Sequence, residues 1–322
     1  MSEAVNKVLK FIKDENLIEP ESTIIIGLSG GPDSVFLLHV LKKIENPYKL
    51  KLIAAHLNHE WRKDAEQDVI FCKKLCKELE IDFVSAKASD LKLSKKYSGS
   101  KEDLGRQLRR EFFEKLKKEY NADLIALGHH LDDQLETFFI RLIRGSSITG
   151  LAGIKVKKDF YVRPLLCLHK QEILDYLDKN KIKYVEDITN LSDQFLRNKI
   201  RKYVIPALKK CDERFEKKFL ETLKNIAAAD DLLERITLQE FKKIEEDNKI
   251  NLEKFNDLNN YLQDKILLLW LIKENVQFTQ STSFFKEIKK FLKQKGSKKH
   301  KLSEHWHISK QKNWAEIVKE KT

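Results

Sequence analysis

The chain has 322 residues, 41% of them hydrophobic and 35% charged, and no apolar run approaches the roughly 18 residues a membrane span requires, so helical membrane insertion is excluded. Acids and lysines thread the N-terminal segment, unlike a secretory signal, and Cys72, Cys76, Cys167 and Cys211 are too scattered for a disulfide scaffold, so a reducing, cytoplasmic setting is expected. A formal charge of +12 points to a polyanionic partner without identifying it; residues 1–200 hold 35 basic and 31 acidic side chains, whereas 201–322 hold 27 and 19.

Taken in chain order, the apolar β-branched run Thr23 to Leu28 predicts a strand. The turn Ser29-Gly30-Gly31-Pro32-Asp33-Ser34 follows, and then Val35, Leu38, Leu41 and Ile44 at helical spacing. Lys51 to Leu57 predicts a second strand, and Val69, Cys72, Leu75, Cys76 and Leu79 the inward stripe of a helix, which makes the two cysteines core and not metal ligands. Ile81 to Ala86 is a third strand, Leu104 to Tyr120 a helix with Leu108, Phe112 and Leu116 inside, and Leu124 to Gly128 a fourth strand. Leu135, Phe138, Phe139, Leu142 and Ile143 then run as a helix to Gly145, a short strand is expected at Tyr161 to Leu165, and a helix at Lys170 to Asn180. Strands alternating with helices imply parallel β-α-β units in an α/β, doubly wound parallel sheet. Nine of the ten glycines lie between Gly27 and Gly153, and no proline follows Pro206. The charged, periodic stretch Arg214 to Glu245 reads as long helices. The expected division is an α/β domain at 1–210 and a smaller, mainly helical, basic domain at 211–322, with a weak hairpin signal between His305 and Val318. Within the second, Lys286, Lys289, Lys290 and Lys293 open a run of eight lysines to Lys301 opposed only by Glu287. This is a candidate phosphate-backbone surface, weighed against an ordinary solvated lysine-rich helix.

The glycine loop is the sharpest feature. It sits between a strand and a helix, where backbone N–H groups and a helix N-terminus converge on an anion. Ser29 and Ser34 add hydroxyl donors, and Pro32 suits the first helical turn. It is neither a Walker A sequence nor a Rossmann fingerprint. Gly27 to Gly31 does match the G-x-S-x-G of a nucleophile elbow, but too few residues precede it to build the earlier strands of that fold.

The loop resembles the S-G-G-x-D-S signature of the N-type ATP pyrophosphatases, the PP-loop superfamily, which implies that fold and cleavage of ATP between its α and β phosphates. Further segments are similar to those of tRNA(Ile)-lysidine synthetases. His56-Leu57-Asn58-His59-Glu60-Trp61-Arg62 resembles His-x-x-His followed by Leu-Arg, with Trp61 where leucine is more usual. Glu102 to Arg109 resembles Glu-x-x-Ala-Arg-x-x-Arg, with Gly105 for alanine and with Arg106 and Arg109 on one helical face. His129 to Thr137 resembles H-x-x-D-D-Q-x-E-T, and Arg141 to Gly145 and Gly150 to Gly153 follow it in the family order. Arg163-Pro164-Leu165, Glu186 to Asn190 and Arg197 to Arg201 match the remaining motifs, so the resemblance covers about residues 20 to 210.

The resemblance implies ATP-dependent adenylation of the C2 oxygen of the wobble cytidine in the CAU anticodon of tRNA(Ile). Free L-lysine then attacks C2 through its ε-amino group, releasing AMP. Ser29, Gly30, Gly31, Pro32, Asp33, Ser34, His56 and Gly128 are expected at ATP, with Mg²⁺ on Asp33 or Asp133. Asp33, Asp133, Glu136 and Arg106 are the catalytic candidates, and Asp33, Asp133 and Glu136 are left as alternatives for the lysine proton. His129, Asp132, Arg109, Arg197 and Arg201 are expected at lysine or RNA, and Lys289, Lys290 and Lys293 at the tRNA body. Asp132 is equally an N-cap. The resemblance also suggests a homodimer. The alternatives are a tRNA thiolase of the same superfamily and a nucleotide-gated RNA-binding module without chemistry.

Overall fold

The computed structural model describes residues 2–62, 64–91, 101–186, 195–278, 281–296 and 298–320, which form two compact units, 1–223 and 224–322. In the first, α1 (Glu3–Asp14) precedes β1 (Thr23–Gly27), α2 (Pro32–Tyr48), β2 (Lys51–Asn58), α3 (Ala65–Glu78), β3 (Asp82–Lys87), α4 (Lys101–Glu119), β4 (Leu124–Ala126) and α5 (Leu131–Ile143). The short α6 (Ile148–Leu151), β5 (Lys157–Lys158), β6 (Tyr161–Val162), α7 (Lys170–Lys179), α8 (Leu196–Lys199) and α9 (Ile205–Cys211) follow, and α10 (Phe215–Ile244) is one helix of 30 residues in place of several.

The sheet order is β3-β2-β1-β4-β6-β5, parallel throughout except for the final β6–β5 pair. Alternation along the strands feeds two cores. Ile24, Ile26, Leu52, Ala54, Leu124 and Ala126 pack with α1, α2, α3 and α7, and Cys72 and Cys76 belong to this core. Ile25, Ala55, Leu57 and Ile125 pack on the other face with Leu108, Phe112, Phe113 and Leu116 of α4. Helices on both faces make the sheet doubly wound. The chain leaves β1 toward β2 and β3 on one side and reaches β4 and β6 on the other, so β1 and β4 flank the switch point at whose carboxyl edge such sheets bind ligands. The strand expected over Tyr161 to Leu165 stops at Val162, because Pro164 starts a short 3₁₀ turn; Leu142 and Ile143 fall in the last turn of α5, as expected, and are exposed there.

The second unit is a mixture of helices with a sheet. Besides the rest of α10 it contains β7 (Glu245–Glu246), β8 (Lys249–Asn251), α11 (Leu252–Asp257), α12 (Asn260–Lys273), α13 (Thr282–Lys293), β9 (Lys298–Ser303), β10 (Trp306–Gln311) and β11 (Trp314–Lys319). The strands form a five-stranded antiparallel sheet ordered β7-β8-β11-β10-β9, so the weak hairpin signal was part of something larger. Phe255, Leu267, Trp270, Ile288, Phe291 and Ile308 lie in its core. No helix among the described residues is long and apolar enough to cross a membrane.

Candidate functional site

β1 ends at Gly27 and the glycine loop closes on itself. The Ser34 hydroxyl accepts the Ser29 N–H at 3.1 Å and donates to the Gly31 carbonyl at 2.9 Å, and the Ser29 and Ser34 hydroxyls are 3.1 Å apart. Gly30 adopts φ +88°, a conformation side chains resist, and Gly31 is the N-cap of α2 with Pro32 in the first turn. The N-terminal amides of α2 are thus unspent on side-chain caps, as an anion site requires. His56 lies buried behind the loop with Nδ1 2.9 Å from the Leu28 carbonyl, and burial lowers its pKa against the upward pull of that hydrogen bond. It therefore braces the strand end that feeds the loop.

β4 delivers Gly128, His129 and His130 to the same edge. A Cβ on Gly128 would stand 3.1 Å from the Asp33 carbonyl carbon and oxygen, so only glycine lets this segment lie against the start of α2. His130 is the N-cap of α5, and its backbone N–H donates to Asp133 Oδ2 at 2.9 Å. Its buried imidazole stands between carboxylates, with Nε2 3.9 Å from Asp33 Oδ2 and 3.6 Å from Asp133 Oδ2, and Nδ1 3.6 Å from Asp132 Oδ2. His129, its neighbour, is pushed down to about 4 by burial and by Arg163, Arg197 and Arg106, with Asp133 opposing.

The acidic face of α5 meets the helical segment after residue 195. Glu136 has no solvent exposure; its two oxygens accept from Arg197 Nε at 2.5 Å and Arg201 Nε at 2.6 Å. Arg197 also donates through Nη2 to Asp133 Oδ1 at 2.6 Å. A π-helical turn, Ile200–Val204, lies between α8 and α9 and carries Arg201. Such turns are often found at functional sites. Burial works to raise the Asp133 carboxyl, but His130, Arg197 and His129 together hold it below the usual carboxylate range.

Asp132 turns away from this group. It accepts from His169 Nδ1 at 3.2 Å and from the Lys170 N–H at 2.7 Å, and these bonds overcome burial to bring its pKa down to about 2. An N-cap role for Asp132 is overturned, since it caps α7 from outside and His130 is the N-cap of α5. Lys170, which sequence reading did not single out, places Nζ 2.5 Å from Asp33 Oδ1. An isolated lysine at a helix start carries no signal that separates it from a solvated one.

The two carboxylates expected to hold Mg²⁺ are differently engaged. Asp133 has both oxygens in hydrogen bonds, to Arg197 and the His130 N–H, and Asp33 has one on Lys170. As arranged they do not form a metal pair; Lys170 brings the positive charge beside Asp33. Asp132, His169 and Glu216 converge their ligand atoms within 4.8 Å, but Lys209 stands 2.7 Å from Glu216, which marks an ion-pair network.

Other signature residues hold the scaffold. Gln134 exchanges two 2.6 Å hydrogen bonds with the backbone of Ile154, and Arg141 donates to the carbonyls of Gly150 at 2.6 Å and Gly153 at 3.0 Å. Arg106 and Arg109 are exposed on α4, and a Cβ on Gly105 between them and β2 would lie 2.5 Å from the Trp61 ring. The segment Asp187 to Asn190 lies outside the described residues. In the second unit, Lys290 and Lys293 are exposed on α13, whereas Lys289 is 14% exposed and pairs with Asp264 at 2.6 Å.

The PP-loop domain family matches residues 1–208. The tRNA(Ile)-lysidine synthase of Petrotoga mobilis is 35% identical over 268 residues, covering 83% of this chain and 84% of the relative. The enzymes of the same name from Clostridium tetani and Bacillus cereus are 44% identical over 204 residues and 33% over 302; the chain spans only 44% and 63% of their lengths, and the matches cover 63% and 90% of this chain. Among solved structures, a U34-tRNA thiolase from Methanococcus maripaludis aligns with TM-score 0.60 and 21% identity over 70% of this chain and 79% of its own, a likeness of fold. With a strand–glycine loop–helix unit at the switch point, and with relatives of one name matching across both units, the chain belongs to the tRNA(Ile)-lysidine synthase family of PP-loop proteins.

Proposed function

We propose that the chain forms lysidine: ATP adenylates the C2 oxygen of the wobble cytidine in the CAU anticodon of tRNA(Ile), pyrophosphate leaves, and the ε-amino group of lysine attacks C2 and displaces AMP. The observation that carries this reading is the cluster of Asp133 and Glu136 with Arg197 and Arg201, which His130 links to Asp33 of the glycine loop. This mixed-charge cluster complements a zwitterionic amino acid, the exposed part of Arg201 facing its carboxylate and Asp133 its ammonium, while the fully buried Glu136 holds the two guanidinium groups in place.

Adenylation concentrates negative charge on the α-phosphate, and fixed donors aimed at that charge lower the barrier most. We assign that task to the glycine-loop backbone, the Ser29 hydroxyl and Lys170, while the Ser34 hydroxyl, donating to the Gly31 carbonyl, shapes the loop. Lysine must then attack as a neutral amine, although its ordinary pKa is about 10.4. Asp133, held below the usual carboxylate range, suits gripping an ammonium better than removing its proton. His130 Nε2, facing both Asp133 and Asp33, fits the base better, with the two carboxylates stabilising the imidazolium that forms.

The thiolase alternative needs a reactive thiol. Cys72 and Cys76 are buried and burial pushes both up to about 12, so neither is a thiolate at neutral pH. Incubation with ATP, labelled lysine and unmodified tRNA(Ile) bearing CAU should place label in RNA and AMP in solution. Thiouridine formation, or nucleotide binding without AMP, would overturn the reading.

A further inference from the structure

The loop after β2 is held from several sides. The Asn58 side chain accepts the Glu60 N–H at 2.8 Å and donates to Glu66 at 3.2 Å, the Glu60 carboxylate accepts the Ser89 N–H at 3.0 Å, and Arg62 pairs with Asp68 at 2.5 Å. Glu60 itself is left-handed, φ 56°. This braced loop presents Trp61, which is 42% exposed. The indole stacks on His59 with ring centroids 4.6 Å apart and planes at 27°, and its edge occupies the space where a Cβ on residue 105 would be.

An exposed tryptophan contributes little to the fold through its uncovered part, yet here the loop, a stacked ring and a glycine all fix its position. Its surroundings are cationic. Arg106 and Arg109 are exposed on α4, Arg106 near enough to lower the His129 pKa and Arg109 that of His59. The loop leaves the carboxyl end of β2, the same sheet edge as the glycine loop after β1 and His129 after β4. A fixed aromatic face flanked by guanidinium groups is the chemistry that receives an unstacked base and its phosphate.

We infer that Trp61 is a stacking platform for an unpaired base of the RNA substrate next to the reacting cytidine, with Arg106 and Arg109 on the adjoining phosphates. This rests on the RNA-directed reading above and adds to it a residue that sets how the loop is held.

The test uses the full chain with an unmodified tRNA(Ile) transcript, varying RNA at saturating ATP and lysine. Trp61→Ala is expected to raise KM for the transcript about tenfold, within the range for loss of one base–aromatic stack, and Trp61→Phe to restore most of it. KM for ATP should stay within about twofold in both, the arm a general structural defect would not satisfy. Should the alanine variant misfold, the Trp61→Leu, Gly105→Ala double variant refills the space without a stacking face, and the same rise is expected. RNA-induced quenching of tryptophan fluorescence should shrink in Trp61→Phe. An unchanged transcript KM in a folded variant, with undiminished quenching, overturns the inference while leaving lysidine formation intact. A wild-type chain that neither binds nor modifies the transcript overturns the functional reading instead.

Discussion

Gly128 lies against Asp33 so closely that an added Cβ would meet the Asp33 carbonyl carbon at 3.1 Å. The end of β4 and the first turn of α2 are therefore one packed unit, and the sheet edge proposed to take ATP depends on a missing side chain. Gly128→Ala should force the two segments apart by a few tenths of an ångström, at a cost of about 1–3 kcal/mol, the usual penalty for overpacking. AMP-release kinetics should show at least about a tenfold fall in kcat/KM for ATP, because the displaced atoms carry the phosphate donors. A variant with wild-type ATP kinetics would detach Gly128 from the nucleotide site.

Glu136 is fully buried, and its two oxygens are held by the guanidinium groups of Arg197 and Arg201, whose side chains are 28% and 47% exposed. Removing the buried carboxylate takes away the charge on two hydrogen bonds from partly exposed arginines, and Glu136→Gln should destabilise the first unit by about 3 kcal/mol. For a unit of this size that is a fall in Tm on the order of 6–12 °C. Asp133→Asn, at a less enclosed site, should keep its Tm closer to wild type while raising KM for lysine at least about tenfold. Calorimetry beside lysine-dependent AMP release separates the two effects. Equal thermal loss in both variants would mean that Asp133 is structural.

How much of this was legible beforehand depends on which residues carried a pattern. The β-α-β order showed in the alternation of apolar strands with helical stripes, and the glycine loop showed because Gly30 needs its positive φ. The second sheet did not show. Its turns use Asp247, Asn248 and Lys312 at positive φ where glycine would have signalled a hairpin, and β9 reads Lys-Lys-His-Lys-Leu-Ser with only Leu302 buried. Lysines suit an edge strand, where they discourage pairing with another chain, so part of the basic run has a structural reason. Lys170 escaped notice for a different reason, since its partner Asp33 lies 137 residues away in sequence and the pair arises only on folding.

Asp132 and His169 make stability depend on pH in a defined direction. The Asp132 contact and nearby Glu216 and Glu172 raise the His169 pKa against its partial burial. A raised histidine stabilises fully below its unfolded pKa of about 6.5 and loses that contribution as pH rises through the folded value. Asp132, depressed to about 2, contributes above its unfolded value of about 3.9 and loses it only as pH falls through about 2. His169→Asn should therefore lower Tm most at about pH 5–6, with the gap to wild type narrowing toward alkaline pH. A gap independent of pH would show that His169 acts through packing alone.

The three lysines expected on the RNA divide by environment. Lys289 is occupied with Asp264 between α13 and α12, whereas Lys290 and Lys293 are exposed on α13. If the excess charge of the second unit meets phosphate, the exposed pair does so, and each phosphate contact adds about 0.7–0.9 to the slope of log binding against log salt. The Lys290→Gln, Lys293→Gln double variant should raise KM for tRNA and lower that slope by between one and two, with KM for ATP unchanged. Lys289→Gln should do the opposite, lowering Tm by loss of a partly enclosed ion pair while leaving the salt dependence of RNA binding as it was. A salt slope unchanged in the double variant would return α13 to a solvated surface and move the search for the RNA contact elsewhere in the chain.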